Sequence, residues 1–265
     1  MRLLAAHGLR PDTHLGQHFL LDENLVDLAV REAAVGPDDV VLEVGAGLGV
    51  LTAALARAAR TVHAIEMDRR LEAALRDAIA GAGDVRVHWG DAMRLDLGAL
   101  DPPPTALVAN LPYSIATPLV AESMWTLPGV ERWCVMAQRE VVDRWLAGPG
   151  SRLYGAPSVL IQLATAATFR RSVGREVFAP RPRVDSALVA LRRTAPGPAP
   201  EVRAVVRAAF SARRKTLLNA LTGAGADRAR VAAALAAAGV PPGVRPEAVP
   251  PPAYAALARE PLWPE

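Results

Sequence analysis

The chain has 265 residues, 51% hydrophobic and 22% charged, with a net charge of +3. That length suits one large domain and a small one, and no apolar run approaches the roughly 18 residues of a membrane span. Cys134 is the only cysteine, which excludes an internal disulfide, and the five histidines show no metal-ligand spacing. The start, Met1 to Arg10, is charged too early for a signal peptide, so a cytoplasmic, metal-free protein is expected.

Asp22 is a good N-cap for a helix through about Ala34, whose apolar side carries Leu25, Val26, Leu28 and Ala29. Val40-Val41-Leu42-Glu43-Val44 reads as a β-branched strand that runs into Gly45-Ala46-Gly47-Leu48-Gly49 and then a helix from about Val50 to Ala59. Strand, glycine loop and helix open a nucleotide-binding βαβ unit. The next strand, Thr61 to Ile65, ends at Glu66, 21 residues after Gly45. A carboxylate there is placed to accept from ribose hydroxyls. The glycines at 45, 47 and 49 depart from the G-x-G-x-x-G of dinucleotide enzymes and follow Glu43. This spacing resembles the first motif of S-adenosylmethionine-dependent methyltransferases. Their cofactor carries no phosphate, so a nearby carboxylate is compatible and matches its ammonium and sulfonium charges.

A helix over about Arg69 to Ala80 and a third strand, Val85 to Trp89, lead to Gly90-Asp91-Ala92. Asp91 closes a third strand end and can accept from the adenine amine of a cofactor. Ala106 to Ala109 is a short buried strand, and Pro112 stops its pairing. Asn110-Leu111-Pro112-Tyr113 therefore forms a turn at a carboxyl strand edge, where open α/β sheets bind ligands. An Asn110 amide oxygen, a Leu111 carbonyl and a Tyr113 face together suit a planar amine such as that of adenine. A helix over about Thr117 to Trp125 and a strand over Arg132 to Gln138 follow. Val159 to Phe169 fits a strand or a short helix equally. Glu176 to Val184 is a proline-stiffened loop, and Asp185 to Arg192 is a last strand.

Pro196-Gly197-Pro198-Ala199-Pro200 reads as a linker. It divides a domain at 1–195 from a helical domain at 196–265, with helices over Glu201 to Leu221 and Ala226 to Ala238. Residues 1–180 carry 17 basic and 21 acidic side chains, whereas residues 181–265 carry 13 and 6. A basic segment of this kind points to a polyanionic partner. The run Arg213-Arg214-Lys215 is read as the start of the second half of a helix, and with Arg192, Arg193, Arg203 and Arg207 it forms a candidate phosphate-binding patch.

Taken together, seven stretches resemble the rRNA adenine N6,N6-dimethyltransferases. They are Leu15 to Leu20, Glu43 to Gly49, Glu66, Gly90-Asp91, Asn110 to Tyr113, Phe178 to Ala187 and Phe210 to Leu217. The resemblance covers about residues 13–221 and is closest to the enzymes that dimethylate two adjacent adenosines near the 3′ end of 16S rRNA. It implies an α/β fold: a Rossmann-like, doubly wound class I S-adenosylmethionine methyltransferase domain with a small C-terminal all-α domain. It also implies S-adenosyl-L-methionine as cofactor, and 16S rRNA in the small ribosomal subunit or its precursor as partner. A monomer without a membrane partner is expected. The resemblance places cofactor contacts on His18, Leu20, Gly45, Glu66, Asp91 and Asn110, with Gly47 in the same loop. Asn110, Leu111, Pro112 and Tyr113 carry the chemistry. Phe178 is expected to stack on the second face of the target base, and Arg213, Arg214 and Lys215 to bind RNA. His18 departs from the family's usual asparagine, and Arg183 from its frequent lysine. The alternatives are a large-subunit rRNA dimethyltransferase of the resistance type, a DNA adenine methyltransferase, and a non-catalytic nucleic-acid-binding factor on the same fold. Glycine spacing, and the lack of an obvious hydride-site His or Tyr, argue against a dehydrogenase.

Overall fold

In the computed structural model, residues 6–12, 15–212 and 214–263 are described. Two short strands near the front of the chain and late in it, β1 (Phe19–Leu20) and β8 (Phe178–Ala179), pair antiparallel with each other. The remaining strands form one sheet, laid around the fully buried β2 (Val40–Val44). Its five residues are apolar but for Glu43, as expected of a parallel strand covered on both faces. β3 (Thr61–Glu66) and β5 (Ala106–Asn110) flank β2 in parallel, β4 (Val85–Trp89) lies outside β3, and β6 (Arg132–Gln138) lies outside β5. β9 (Ser186–Arg193) runs antiparallel to β6, with Gln138 opposite Ser186, and β7 (Thr165–Val173) closes the edge.

The strand order is thus β4-β3-β2-β5-β6-β9-β7. Connections leave β2 in opposite directions, so the carboxyl ends of β2 and β5 bound a crevice where side chains and loops meet a ligand. The helices α1 (Glu23–Glu32), α2 (Val50–Ala58), α3 (Glu72–Ile79) and α4 (Ala116–Thr126) connect these strands. Asp22 caps α1 by accepting from the Leu25 N–H at 3.2 Å, and Leu25, Val26, Leu28 and Ala29 are buried as the periodicity predicts. Cys134 is buried in β6 among the core side chains.

The chain separates into two units. One runs to Val142 and includes Ala166–Arg193; the other comprises Asp143–Thr165 and the chain from Thr194 onward. The second unit is helical: α6 (Ala156–Ala164), α7 (Pro200–Phe210), α8 (Leu217–Gly223), α9 (Arg228–Ala237) and α10 (Pro251–Leu257). It takes in residues 143–165, which lie on the other side of a division at the Pro196–Pro200 linker. The reason is packing. Tyr154 and Val159 are buried in one apolar cluster with Val206, Leu217, Leu235 and Tyr254. The Tyr154 hydroxyl donates to the Val249 carbonyl at 2.8 Å and the Tyr254 hydroxyl to the Pro246 carbonyl at 2.7 Å, so neither buried phenol is left unpaired. The ambiguous stretch Val159 to Phe169 is both things in turn: α6 ends at Ala164, and β7 begins at the β-branched Thr165.

The basic run is corrected in position. α7 stops at Phe210, where the Ser211 hydroxyl turns back to the Ala208 carbonyl at 2.8 Å. α8 begins only after Thr216, whose side chain caps it. Arg214 and Lys215 therefore stand exposed in the turn between two helices and not on a helical face; Arg213 lies outside the described residues. Arg193 leaves the phosphate-binding set too. Its guanidinium donates to the carbonyls of Met124, Leu127 and Val130, closing the end of α4, and lies 5.0 Å from the centre of the Trp133 ring. No described helix is long and apolar enough to cross a membrane.

Gly49 makes the turn from β2 into α2 possible. Its φ is +79°, and a Cβ there would sit 2.8 Å from Leu75 Cδ1 and 2.9 Å from Ala78 Cβ on α3. Gly49→Ala is expected to destabilise the protein by roughly 1–3 kcal/mol through backbone strain and this overlap. Urea unfolding monitored by circular dichroism measures it, and an unchanged midpoint would contradict the packing described.

Candidate active site

Four loops that follow strands, and the segment just before and through β1, enclose a single cavity of about 330 Å³, within the range of small-molecule sites. Its wall contains His18, Leu20, Gly45, Gly47, Glu66, Asp91, Asn110, Leu111, Pro112 and Tyr113. The residues that the sequence points to for cofactor and chemistry thus converge from positions up to 95 apart in the chain.

Gly45 sits at φ +81°, and a Cβ on it would meet Pro112 Cδ at 3.4 Å and the Asn110 carbonyl oxygen at 3.6 Å. The glycine loop and the Asn110–Tyr113 turn therefore pack directly on each other, and a side chain at Gly45 would crowd that contact. Glu66 organises the same loop from the next strand. One carboxylate oxygen accepts the Gly47 N–H at 2.8 Å, and the other accepts the N–H groups of Met67 and Asp68 at 2.9 and 2.8 Å. Burial raises its acidity constant, and these three donors oppose the rise. The oxygen that holds Gly47 keeps a second lone pair for a ribose hydroxyl. Asp91 uses one oxygen on the Met93 N–H at 2.9 Å and has Arg94 3.6 Å from the other.

Asn110 ends β5. Its side-chain nitrogen donates to the main-chain carbonyl of His18 at 3.1 Å. A carbonyl can only accept, so the amide is fixed in one of its two orientations and its oxygen is left for a donor. Leu111 spends its N–H on the Met136 carbonyl at 3.0 Å. Tyr113 is held through its hydroxyl, 2.8 Å from Ser186 Oγ, and its ring lies 5.9 Å from that of His18 with 28° between the planes. His18 Nδ1 in turn donates to the Pro180 carbonyl at 2.8 Å. Gln17, the preceding residue, donates to Asp68 at 2.7 Å.

Phe178 is corrected. It is 3% exposed and packs in the core with Leu20, Val173 and Leu188. As a strand residue paired with Leu20, it turns an apolar ring to the interior, offers no face to a base and does not line the cavity. The residues that sequence reasoning missed are Ser186, Pro180 and Gln17, which act through long-range contacts with no local signature. Glu43 also differs from expectation. It lines the cavity but is 1% exposed, and Oε2 has no partner among the described residues. Burial pushes its carboxyl up to about 8, helped by the nearby Glu66 charge. At neutral pH it is a neutral acid and supplies no counter-charge.

The cavity fits S-adenosylmethionine by its donor set. Glu66 and Asp91 offer acceptors on adjacent strand ends, the glycine loop allows close main-chain approach, and no cluster of lysine or arginine lines the wall to await a phosphate.

A family model for ribosomal RNA adenine dimethylase matches residues 9–242. The chain is 49% identical over 259 residues to a ribosomal RNA small subunit methyltransferase A of Streptomyces avermitilis, covering 93% of this chain and 87% of that protein. It is 47% identical over 258 residues to the protein of that name from Rubrobacter xylanophilus, covering 97% of each. Among solved structures, the 23S rRNA methyltransferase ErmE is 30% identical with a TM-score of 0.68, over 91% of this chain and 98% of that one. A dimethyladenosine transferase from Plasmodium falciparum has a TM-score of 0.77 at 24% identity, over 91% and 96%, and shares the fold.

Glu43 makes stability depend on pH. The folded chain holds its proton up to about 8, whereas an unfolded glutamic acid releases it near 4.5. The unfolded state then binds fewer protons between these values, so this residue's contribution is full below about 4.5 and declines as pH rises to about 8. In Glu43→Gln the unfolding free energy is expected to lose that decline. Urea midpoints at acidic and mildly alkaline pH test this; parallel curves for both proteins would refute the protonated state.

Proposed function

The chain belongs to the ribosomal RNA adenine dimethylase family, and we propose that it dimethylates the N6 amines of two adjacent adenosines near the 3′ end of 16S rRNA. It is an S-adenosylmethionine-dependent methyltransferase acting on rRNA. The observation that carries the residue-level reading is the fixed amide of Asn110, whose oxygen is left facing a donor while His18 holds its nitrogen.

When bound, S-adenosylmethionine supplies a methyl group already activated on sulfonium. Glu66 and Asp91 hold its ribose and adenine, and the main chain at His18, Leu20, Gly45 and Gly47 closes around it. The task left to the chain is placement of a weak nucleophile. The N6 lone pair of adenine is delocalised into the ring. Asn110 Oδ1 and the Leu111 carbonyl accept its two N–H bonds, which favours a pyramidal nitrogen with a localised lone pair. Tyr113 stacks on the base, worth roughly 1–3 kcal/mol, and this offsets part of the cost of extruding the base. Pro112 fixes the turn that sets these groups side by side. Holding both reactants in line contributes up to roughly 7–11 kcal/mol in favourable cases.

The division of labour follows the two units. The sheet unit carries the chemistry, and Arg214 and Lys215, exposed in the turn between α7 and α8, bind phosphates of the RNA. We expect the protein to act in the cytoplasm as a monomer on the small ribosomal subunit or its precursor.

Transfer of labelled methyl groups to unmodified small subunits, with large subunits and bare DNA alongside, tests the substrate. Dimethyladenosine in small subunits alone is expected; label in the large subunit would favour the resistance-type activity, and label in DNA a DNA adenine methyltransferase. Asn110→Ala should abolish transfer while cofactor affinity, read by calorimetry, falls far less. Retained turnover would remove Asn110 from the chemistry.

A further inference from the structure

The His18 ring is not the family's usual side chain at this position, and its surroundings fix its chemistry. The Pro180 carbonyl can only accept, so Nδ1 carries the hydrogen of the 2.8 Å bond. In the neutral ring Nε2 then bears a lone pair, and it has no hydrogen-bond partner among the described residues. The ring leans on Tyr113, and its own carbonyl holds Asn110. His18 thus touches both ends of the turn that receives the target amine.

The other ionisable groups of the cavity wall are poorly suited to take a proton there. Glu66 is engaged by three N–H groups, and Asp91 by Met93 and Arg94. Glu43 already holds a proton at neutral pH. Burial pushes the Tyr113 hydroxyl up, so it stays a phenol. The oxygens of Asn110 and Leu111 are amide oxygens and weak bases.

Resting on the reading of Asn110 to Tyr113 as the site of transfer, we propose that His18 Nε2 is the acceptor of the proton released from N6 at each methyl transfer. The N6–carbon bond forms as the carbon–sulfur bond breaks, and N6 becomes positively charged. Its N–H electron pair returns to nitrogen as the proton passes to Nε2. The imidazolium then gives the proton to solvent. The same step restores a neutral nitrogen for the second methyl group. Groups whose charge bears on this ring are Asp68 and Arg70 beyond Gln17, Arg181 and Arg183 after Pro180, Asp185 near Ser186, and Glu43, Glu66 and Asp91 across the cavity.

Two measurements test it on the full-length protein. In the cofactor-free protein, imidazole nitrogen shifts should show His18 as the Nδ1-protonated tautomer near neutral pH; an Nε2-protonated ring overturns the proposal. Single-turnover transfer to small subunits is then followed against pH. Wild type should lose rate on the acid side as the imidazole is protonated. His18→Asn, which restores the family's side chain, should be slower by roughly a hundredfold at mildly alkaline pH and should lack that acid limb. His18→Gln serves as the second variant, and calorimetric cofactor affinity shows that each variant retains its site. A purely positioning role lowers the rate equally at every pH and leaves the acid limb in place; that result overturns the proposal. Absence of label with wild type would overturn the reading of the substrate itself.

Discussion

The hydrogen bond from the Asn110 side chain to the His18 carbonyl is the contact on which the site depends. An asparagine amide has donors on one side and acceptors on the other. Reversed, Asn110 would aim two N–H groups at an amine and repel it. The bond is weak by itself, about 1 kcal/mol net, so its value lies in choosing between two orientations. That choice is only as firm as the placement of His18. The placement comes from far away in sequence: the β1–β8 pairing, the Leu21 N–H on the Val177 carbonyl at 2.9 Å, and Gln17 on Asp68. Each contact ties the early segment to a different element of the sheet unit.

This dependence explains why the cavity wall mixes main-chain and side-chain groups. A charged cofactor and a neutral aromatic base must occupy adjoining space. A wall rich in free carboxylates would favour the cofactor's cations but would also hold water and ions against the base. The structure limits the free negative charge. Glu43 is neutral by burial, and Glu66 spends its oxygens on backbone N–H groups. What remains for recognition is directional: carbonyl oxygens, the fixed Asn110 amide and the Tyr113 ring. Directional acceptors discriminate an amine by its hydrogens, which charge alone cannot do.

The sheet and much of the cavity were legible in the sequence because their causes are local. β-branched runs bounded by glycine mark β2 and its neighbours, and each strand end carries a polar residue one or two positions beyond the apolar run: Glu66, Asp91 and Asn110. Pro112 signals a turn by its own chemistry. The parts that escaped have non-local causes. β8 is two residues long, and nothing in Phe178-Ala179 announces that Phe19 and Leu20 will pair with it, so Phe178 reads as an available aromatic instead of a core ring. Glu43 reads as a charge because its burial belongs to the assembled sheet and not to its neighbours in sequence. A proline-rich linker is a sound local boundary for the polypeptide path, but packing assigns residues 143–165 through Tyr154 and Val159, whose partners lie fifty or more residues downstream.

Charge counting shows the same limit. The excess of basic residues after position 180 is real, yet a positive side chain counts toward RNA only if it is not already employed. Arg193 is employed: three carbonyls at the end of α4 and the Trp133 face surround it. Removing it would unmake a helix terminus before it weakened any RNA contact. Arg214 and Lys215 are different, because the Ser211 turn and the Thr216 cap end the flanking helices on either side and leave both side chains exposed. A turn can seat cations closer together than a helical face, where consecutive residues point about 100° apart. Two cations on one tight turn are therefore better matched to neighbouring phosphates of a single strand than the same two residues within a helix would be.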